Sequence, residues 1–366
     1  MQQELLGLVR VFPLWLSYGI MAVAIPFYVL ADGRARRASY RFYRLRMGYG
    51  CLKSAAAVFR NMYNMGKVVI DRFCTYAGKK YRIESTDLAV YERMASAQGG
   101  LVVLSSHVGN YEMVGYMLPS PKPMKVLVYG GETATVMKNR DKLFSSTNVS
   151  MVPVKEDLSH IFALNNALAD GEIVSVPADR TFGSRKTLRI PFLGADAAFP
   201  AGPFTLAVQR EVPVVAMFVM KESRKLYRAR VQQLPVPQEG TRAQKVQALA
   251  AAYVKVLEEV VRQWPEQWYN FYDFWADETL ERYSHRGTAS PAASVPLCRH
   301  AGKLRRRGNR GVLYPRRGEK PAYGRRLPER RRTHGTHGPG QCCPRRVSEQ
   351  VYQEPSGADR LHRPVP

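Results

Sequence analysis

The stretch that constrains the fold most runs from Leu101 to Leu118, LVVLSSHVGNYEMVGYML, because its periodicity changes partway. Leu101-Val102-Val103-Leu104 is an unbroken apolar run of the length of a buried strand. From Tyr111 onward the apolar residues Met113, Val114, Met117 and Leu118 are spaced for one face of a helix. A strand that passes into a helix through a short polar loop is the unit of an α/β sheet. The loop between them, Ser105 to Asn110, then sits at the mouth of the sheet with His107 at its centre.

Asn110 suits the N-cap of the helix that follows, and Glu112 falls in its first turn, where a negative charge suits the dipole. His107 and Glu112 are then expected to face each other across the turn. An imidazole has an unperturbed pKa of about 6.5, so it takes a proton at neutral pH. A carboxylate that holds its second ring nitrogen fixes the tautomer and steadies the imidazolium. A His with a Glu five residues on also arises by chance. The histidine count narrows the choice, since of seven histidines only His107 and His160 precede His285.

The rest of the body alternates in the same manner. Strands are expected at Lys125–Tyr129, Met151–Val154, Ile173–Val176, Val212–Met220 and Tyr227–Gln232, the fourth nearly all apolar and central, the last an outer strand. Helices are expected at 133–146, Ile161–Ala169, Pro203–Arg210 and Arg242–Gln263. Residues 40 to 77 read as one helix with Tyr and Arg interleaved. The predicted fold class is α/β, a mixed sheet flanked by helices.

Val11 to Ala31 carries no charge over 21 residues, about 30 Å of helix, which matches a bilayer core. Pro26 should kink its far end. Arg34, Arg36, Arg37, Arg41, Arg44 and Arg46 follow closely, which puts the downstream body on the cytoplasmic face of the membrane. A cleaved signal peptide, and a helix lying in the interface or buried in the body, are the competing readings. Residues 1–39 are therefore read as a membrane anchor and 40–284 as the folded domain.

Beyond Ser284 the chain turns to Arg, Pro and Gly. From Arg286 on there are 17 Arg and 2 Lys against 5 acidic residues, a net +14 of the chain's +25. Residues 285–366 read as a disordered basic tail, or as a frame-shifted or misjoined end. The remaining +11 suits an anionic membrane surface or acidic protein partners. No nucleic acid is expected, because no motif for binding it is present. Cys51 and Cys74 are far apart, and with two histidines in the body no metal site is expected.

The segment His107-Val108-Gly109-Asn110-Tyr111-Glu112 resembles the H-x4-[DE] box of the lysophospholipid acyltransferase superfamily, in the form found in its late lipid A (lauroyl/myristoyl) branch. Further similar blocks follow in order: Val176 to Arg180 with Gly183, Ile190 to Gly194, Phe199 to Phe204, and Pro265 to Tyr272. Lys155 stands where that branch often has Arg, and an ammonium cannot make the planar fork of a guanidinium.

The resemblance implies a glycerolipid acyltransferase-like fold and acyl transfer to a lipid acceptor, a lipid A precursor first of all, at the cell inner membrane. The donor it implies is an acyl carrier protein or acyl-CoA, with no further cofactor. His107 is then the general base and Glu112 its orienting carboxylate. Asn110, Lys155, Asp179 and Arg180 support the oxyanion or bind substrate, and Phe192, Leu193 and Phe199 line an acyl groove. Another acceptor, such as an amino-acid lipid or a pigment, and a non-enzymatic basic binding protein are the alternatives. The second has no need of the His107–Glu112 box.

Overall fold

The computed structural model describes residues 13–110, 112–113, 120–128, 148–155, 157–181, 184 and 186–276. The expected tail from residue 285, the helix over 133–146, and Arg10, Val11, Tyr129, Glu156 and Gly183 lie outside them.

Seven strands form one sheet: β1 (Arg82–Glu84), β2 (Leu101–Ser105), β3 (Met124–Val128), β4 (Val149–Pro153), β5 (Ile173–Pro177), β8 (Val214–Lys221) and β9 (Leu226–Leu234). Their order is β1-β9-β8-β2-β5-β3-β4. All neighbouring pairs are parallel except β8 with β9, so the sheet is mixed, as the sequence suggested. The apolar run of β2 is buried along its whole length between β8 and β5. Its side chains alternate between two cores. Val102 and Leu104 join a large cluster with Val214, Ala216 and Phe218 of β8, while Leu101 and Val103 join a second with Val215 and Met217. Both faces are covered, which is why neither strand shows polar alternation. Each strand also pairs its backbone polar groups in the ladder.

Helices α5 (Ser159–Ala169), α6 (Gly202–Arg210) and α7 (Arg242–Gln263) lie close to their expected bounds. Thr241 and Gln244 form a capping box at the start of α7, which fixes where it begins. α4 (Leu88–Ser96) covers the other face with Tyr91, Met94 and Ala95.

One expectation is corrected and two features are added. Residues 40 to 77 are not one helix. α2 (Gly33–Leu45) ends, Gly48 takes a positive φ of 67°, and α3 (Cys51–Tyr76) begins. A residue with a Cβ rarely adopts that backbone, so Gly48 marks the break. β9 is an outer strand as expected, with only the three-residue β1 beyond it, paired to Leu226–Arg228. Thr187 to Pro200, which the sequence left without an assigned element, is a hairpin of β6 (Thr187–Phe192) and β7 (Ala195–Pro200). Leu193 and Gly194 make its two-residue turn at φ 53° and 79°. A leucine is a poor residue for that position, and its N–H is held by Glu258 Oε2 at 2.8 Å.

α1 (Leu14–Ala31) runs on through Pro26 as one helix and is long and apolar enough to cross a membrane. It is not a free tether. Leu14, Tyr18, Ile25 and Val29 are buried, and Met21 lies against Gly66 of α3, where a Cβ would meet it at 2.8 Å. Its other side exposes Trp15, Ile20, Val23, Phe27 and Leu30. Arg36 of α2 donates to Val29 O at 2.8 Å and Leu30 O at 2.9 Å, which caps the end of α1. Arg41 pairs with Asp273 at 2.7 Å, and Arg46 lies 4.7 Å over the Trp275 ring. Arg36 thus joins α2 to α1, Arg41 and Arg46 tie α2 to the body, and the boundary expected at residue 39 falls inside α2.

Candidate active site

His107 follows β2 at the C-terminal end of the central parallel strands, where ligands of open α/β sheets bind. Every backbone N–H around it is engaged. His107 N donates to Asp179 Oδ2 at 2.9 Å, and Val108 N to Ser106 Oγ at 3.3 Å. Gly109 N donates to Gln267 O at 2.8 Å, and Asn110 N to Val219 O at 2.7 Å. The carbonyl of His107 in turn accepts from Tyr269 N at 2.9 Å. Four of these bonds pin His107, Gly109 and Asn110 to β8, to the end of β5 and to the segment after α7, and the fifth, from Val108 N, closes the loop on itself.

Gly109 is required by this approach. Its φ is 62°, and a Cβ there would lie 2.1 Å from the carbonyl oxygen of Val219. Gly109→Ala is accordingly expected to destabilise the protein by at least about 2 kcal/mol, read by urea unfolding. Unchanged stability would mean that the loop is not held as described.

The side chain of His107 is 20% exposed, and its Nδ1 lies 2.7 Å from Asp179 Oδ1. Asp179, 2% exposed, stands just past β5, the neighbour of β2 in the sheet. Its Oδ2 accepts from His107 N and also from Trp268 Nε1 at 3.3 Å. Burial alone pushes this carboxyl up. The charge of His107, the two hydrogen bonds from it and the charge of Arg180 outweigh that, and hold it below the usual carboxylate range. An ionised carboxylate only accepts, so the proton of the neutral ring sits on Nδ1 and the lone pair on Nε2.

The carboxylate on the ring nitrogen is therefore Asp179, not the expected Glu112. Glu112, also buried, pairs with Arg72 of α3 at 2.9 Å. Asn110 is buried beside the loop. Its Nδ2 donates to Tyr227 Oη at 3.4 Å, and its Oδ1 has no partner among the described residues. Arg180 donates from Nη2 to Tyr269 O at 2.8 Å, so it braces the segment that braces His107 and makes no simple ion pair with Asp179 alone.

Two groups of expected residues are not brought to His107. Lys155, exposed, follows β4 at the sheet edge, three strands from β2 and so about 14 Å away at about 4.8 Å per strand. Phe192, Leu193 and Phe199 are 0%, 3% and 0% exposed. Phe192 packs on Phe199, Trp268, Phe274 and Trp275 with ring centroids 5.5–5.9 Å apart. These residues form the core beneath the loop, not the wall of an open groove. Trp268 is a group the sequence marked only as part of the block from Pro265 to Tyr272. It joins both worlds, with its ring in that cluster and its Nε1 on Asp179.

A search of curated proteins finds no match to the chain. Residues 53–276 match the family described as bacterial lipid A biosynthesis acyltransferase, a span that holds nearly all of α3, the whole sheet and every residue of the site above. Its acyl-transferring chemistry agrees with a His–Asp pair at the mouth of the sheet, and the chain belongs to the bacterial lipid A biosynthesis acyltransferase family.

Proposed function

We propose that the protein moves a fatty acyl chain from a thioester, carried by acyl carrier protein or coenzyme A, to a hydroxyl of a lipid A precursor, with His107 as general base. The observation that supports this most is the 2.7 Å contact between His107 Nδ1 and Asp179, on a loop with the ring still open to solvent.

The hydroxyl of the acceptor gives its proton to Nε2 as its oxygen attacks the thioester carbonyl. A C–O bond forms and the carbonyl electron pair moves onto oxygen. When the carbonyl re-forms, the C–S bond breaks, and the leaving thiolate takes the proton back from the imidazolium. Asp179 steadies that imidazolium throughout. The acceptor is itself the nucleophile, so no acyl-enzyme is required. The oxyanion needs donors. The N–H groups of His107 to Asn110 are spent, which leaves Arg180 beside Asp179 and the N–H groups beyond Asn110 for that role. Lys155 suits an anionic part of either substrate, farther from the reacting carbon.

The apolar outer side of α1, with exposed Arg34, Arg37 and Arg44 following it, suits a helix in the inner membrane and a body on its cytoplasmic face. A reporter fused after Ser284 should then behave as cytoplasmic, and a periplasmic readout refutes that placement.

The activity is tested with membranes containing the protein, given labelled acyl carrier protein or acyl-CoA in turn together with a lipid A precursor. Mass spectrometry should show the precursor heavier by one acyl chain. No product with either donor overturns the proposal, and transfer to a different lipid overturns the acceptor alone.

A further inference from the structure

A second cluster of buried ionisable groups lies behind the catalytic loop, and the reaction above does not use it. Asp71 of α3 is 0% exposed and forms an ion pair with Lys221, at the end of β8. Three tyrosines surround the pair. Tyr18 of α1 and Tyr81 donate to Asp71 Oδ1, the latter at 2.9 Å, and Tyr227 of β9 donates to Oδ2. The Lys221 ammonium lies 4.6 Å from the Tyr227 ring centroid, 5.3 Å from that of Tyr81 and 5.5 Å from that of Tyr18. Burial pushes the Lys221 amine below its usual value, and Asp71 opposes that.

Such a cluster is costly to bury, and apolar residues of the same volume would often serve stability as well. Its position gives it another use. Tyr227 Oη, besides donating to Asp71, accepts from Asn110 Nδ2 at 3.4 Å. The backbone of Lys221 is gripped at both N–H and C=O by the Gln267 side chain, at 2.8 and 2.7 Å, and Gln267 O receives the N–H of Gly109. An unbroken run of hydrogen bonds therefore leads from α1 to the residues that present His107.

We propose that Tyr18, Asp71 and Tyr227 are positioning residues, a relay through Asn110 by which the docking of α1 on the body sets the geometry of the catalytic loop. The consequence for activity rests on the acyltransferase reading, whereas the consequence for the loop does not. Tyr18 adds one hydroxyl to Asp71, and Asp71 in turn fixes where the Tyr227 hydroxyl points. With α1 displaced, for instance off the membrane, Asp71 loses a donor and the loop loses its rear support.

The test uses the full chain in detergent or vesicles, with Tyr18→Phe, Tyr227→Phe and the double variant. Each change removes one oxygen and keeps the ring. Hydrogen exchange of the amides from His107 to Asn110 should be faster by about fivefold in Tyr18→Phe, although residue 18 touches none of them. In an active enzyme kcat should fall by a similar factor, with KM for donor and acceptor within twofold. The double variant should lose no more than the worse single one, because both act through Asp71. Unchanged loop exchange in Tyr18→Phe overturns the relay, whether or not activity is measurable. Losses that multiply in the double variant also overturn it, as does a fall in kcat that only tracks protein lost from the membrane fraction. Should Tyr227→Phe fail to fold, the Tyr18→Phe exchange result decides alone.

Discussion

His107→Ala is expected to stay folded and to lower kcat for acyl transfer by about 100- to 10,000-fold, the range that a positioned general base contributes. The fold survives because the imidazole is partly exposed and belongs to none of the three apolar cores. The loop is held by its backbone, and alanine keeps all five of those bonds. One local penalty remains. Asp179 loses the ring that offsets its burial, keeping the His107 N–H and Trp268 Nε1, so a small fall in Tm accompanies the loss of rate. KM for the donor should stay within a few-fold, since the ring acts on the acceptor proton. His160→Ala is the control. His160 Nδ1 accepts the exposed N–H of Lys155 at 3.2 Å, next to the far edge of the sheet. Normal turnover by a well-folded His107→Ala protein would exclude His107 as the base.

The strands that the sequence revealed best are those buried on both faces, Leu101–Ser105 and Val214–Lys221, because an apolar run bounded by polar loops has few other uses. β1 was invisible for the opposite reason. Arg82-Ile83-Glu84 has no apolar pattern, and only the free edge of β9 makes it a strand. The β6–β7 hairpin was missed because its turn is Leu193-Gly194, and the bond that lets a leucine sit there comes from Glu258, far along the chain. The site divides in the same manner. His107 was legible because histidines are scarce and the strand-to-helix switch places it. Its partner was not, since proximity in sequence favours Glu112. The pairing register of β2 with β5, Ser105 beside Pro177, is what brings Asp179 two residues on to His107 two residues on. Equal loop lengths after two parallel neighbours leave no mark in a single sequence. The hydroxyls around Asp71 lie farther still from sequence logic, because they arrive from α1, β9 and the segment before β1.

Asp179→Asn is expected to lower kcat by about 1,000- to 10,000-fold, close to the loss of the base itself, by analogy with the carboxylate of a Ser-His-Asp triad. The geometry dictates the reason. Oδ2 of Asp179 accepts two N–H bonds, from the His107 backbone and from Trp268 Nε1. In the asparagine variant that position must hold the amide oxygen, because an NH2 there would face two donors. The NH2 then points at His107 Nδ1, where the carboxylate oxygen was. Nδ1 has to become an acceptor, the ring proton moves to Nε2, and the nitrogen that should take the acceptor's proton already carries one. The variant is thus nearly isosteric, folded and in the wrong tautomer. Glu112→Gln lacks any such conflict. It removes the charge from a largely buried ion pair with Arg72, so most of its cost falls on stability, and kcat per folded molecule should fall about tenfold or less. The two variants, measured in one assay with Tm as a check on folding, separate the two carboxylates. If Glu112→Gln proves the more damaging while Asp179→Asn turns over normally, the orienting group is the one next to His107 in sequence, and Asp179 serves only to close the loop over the Trp268 core.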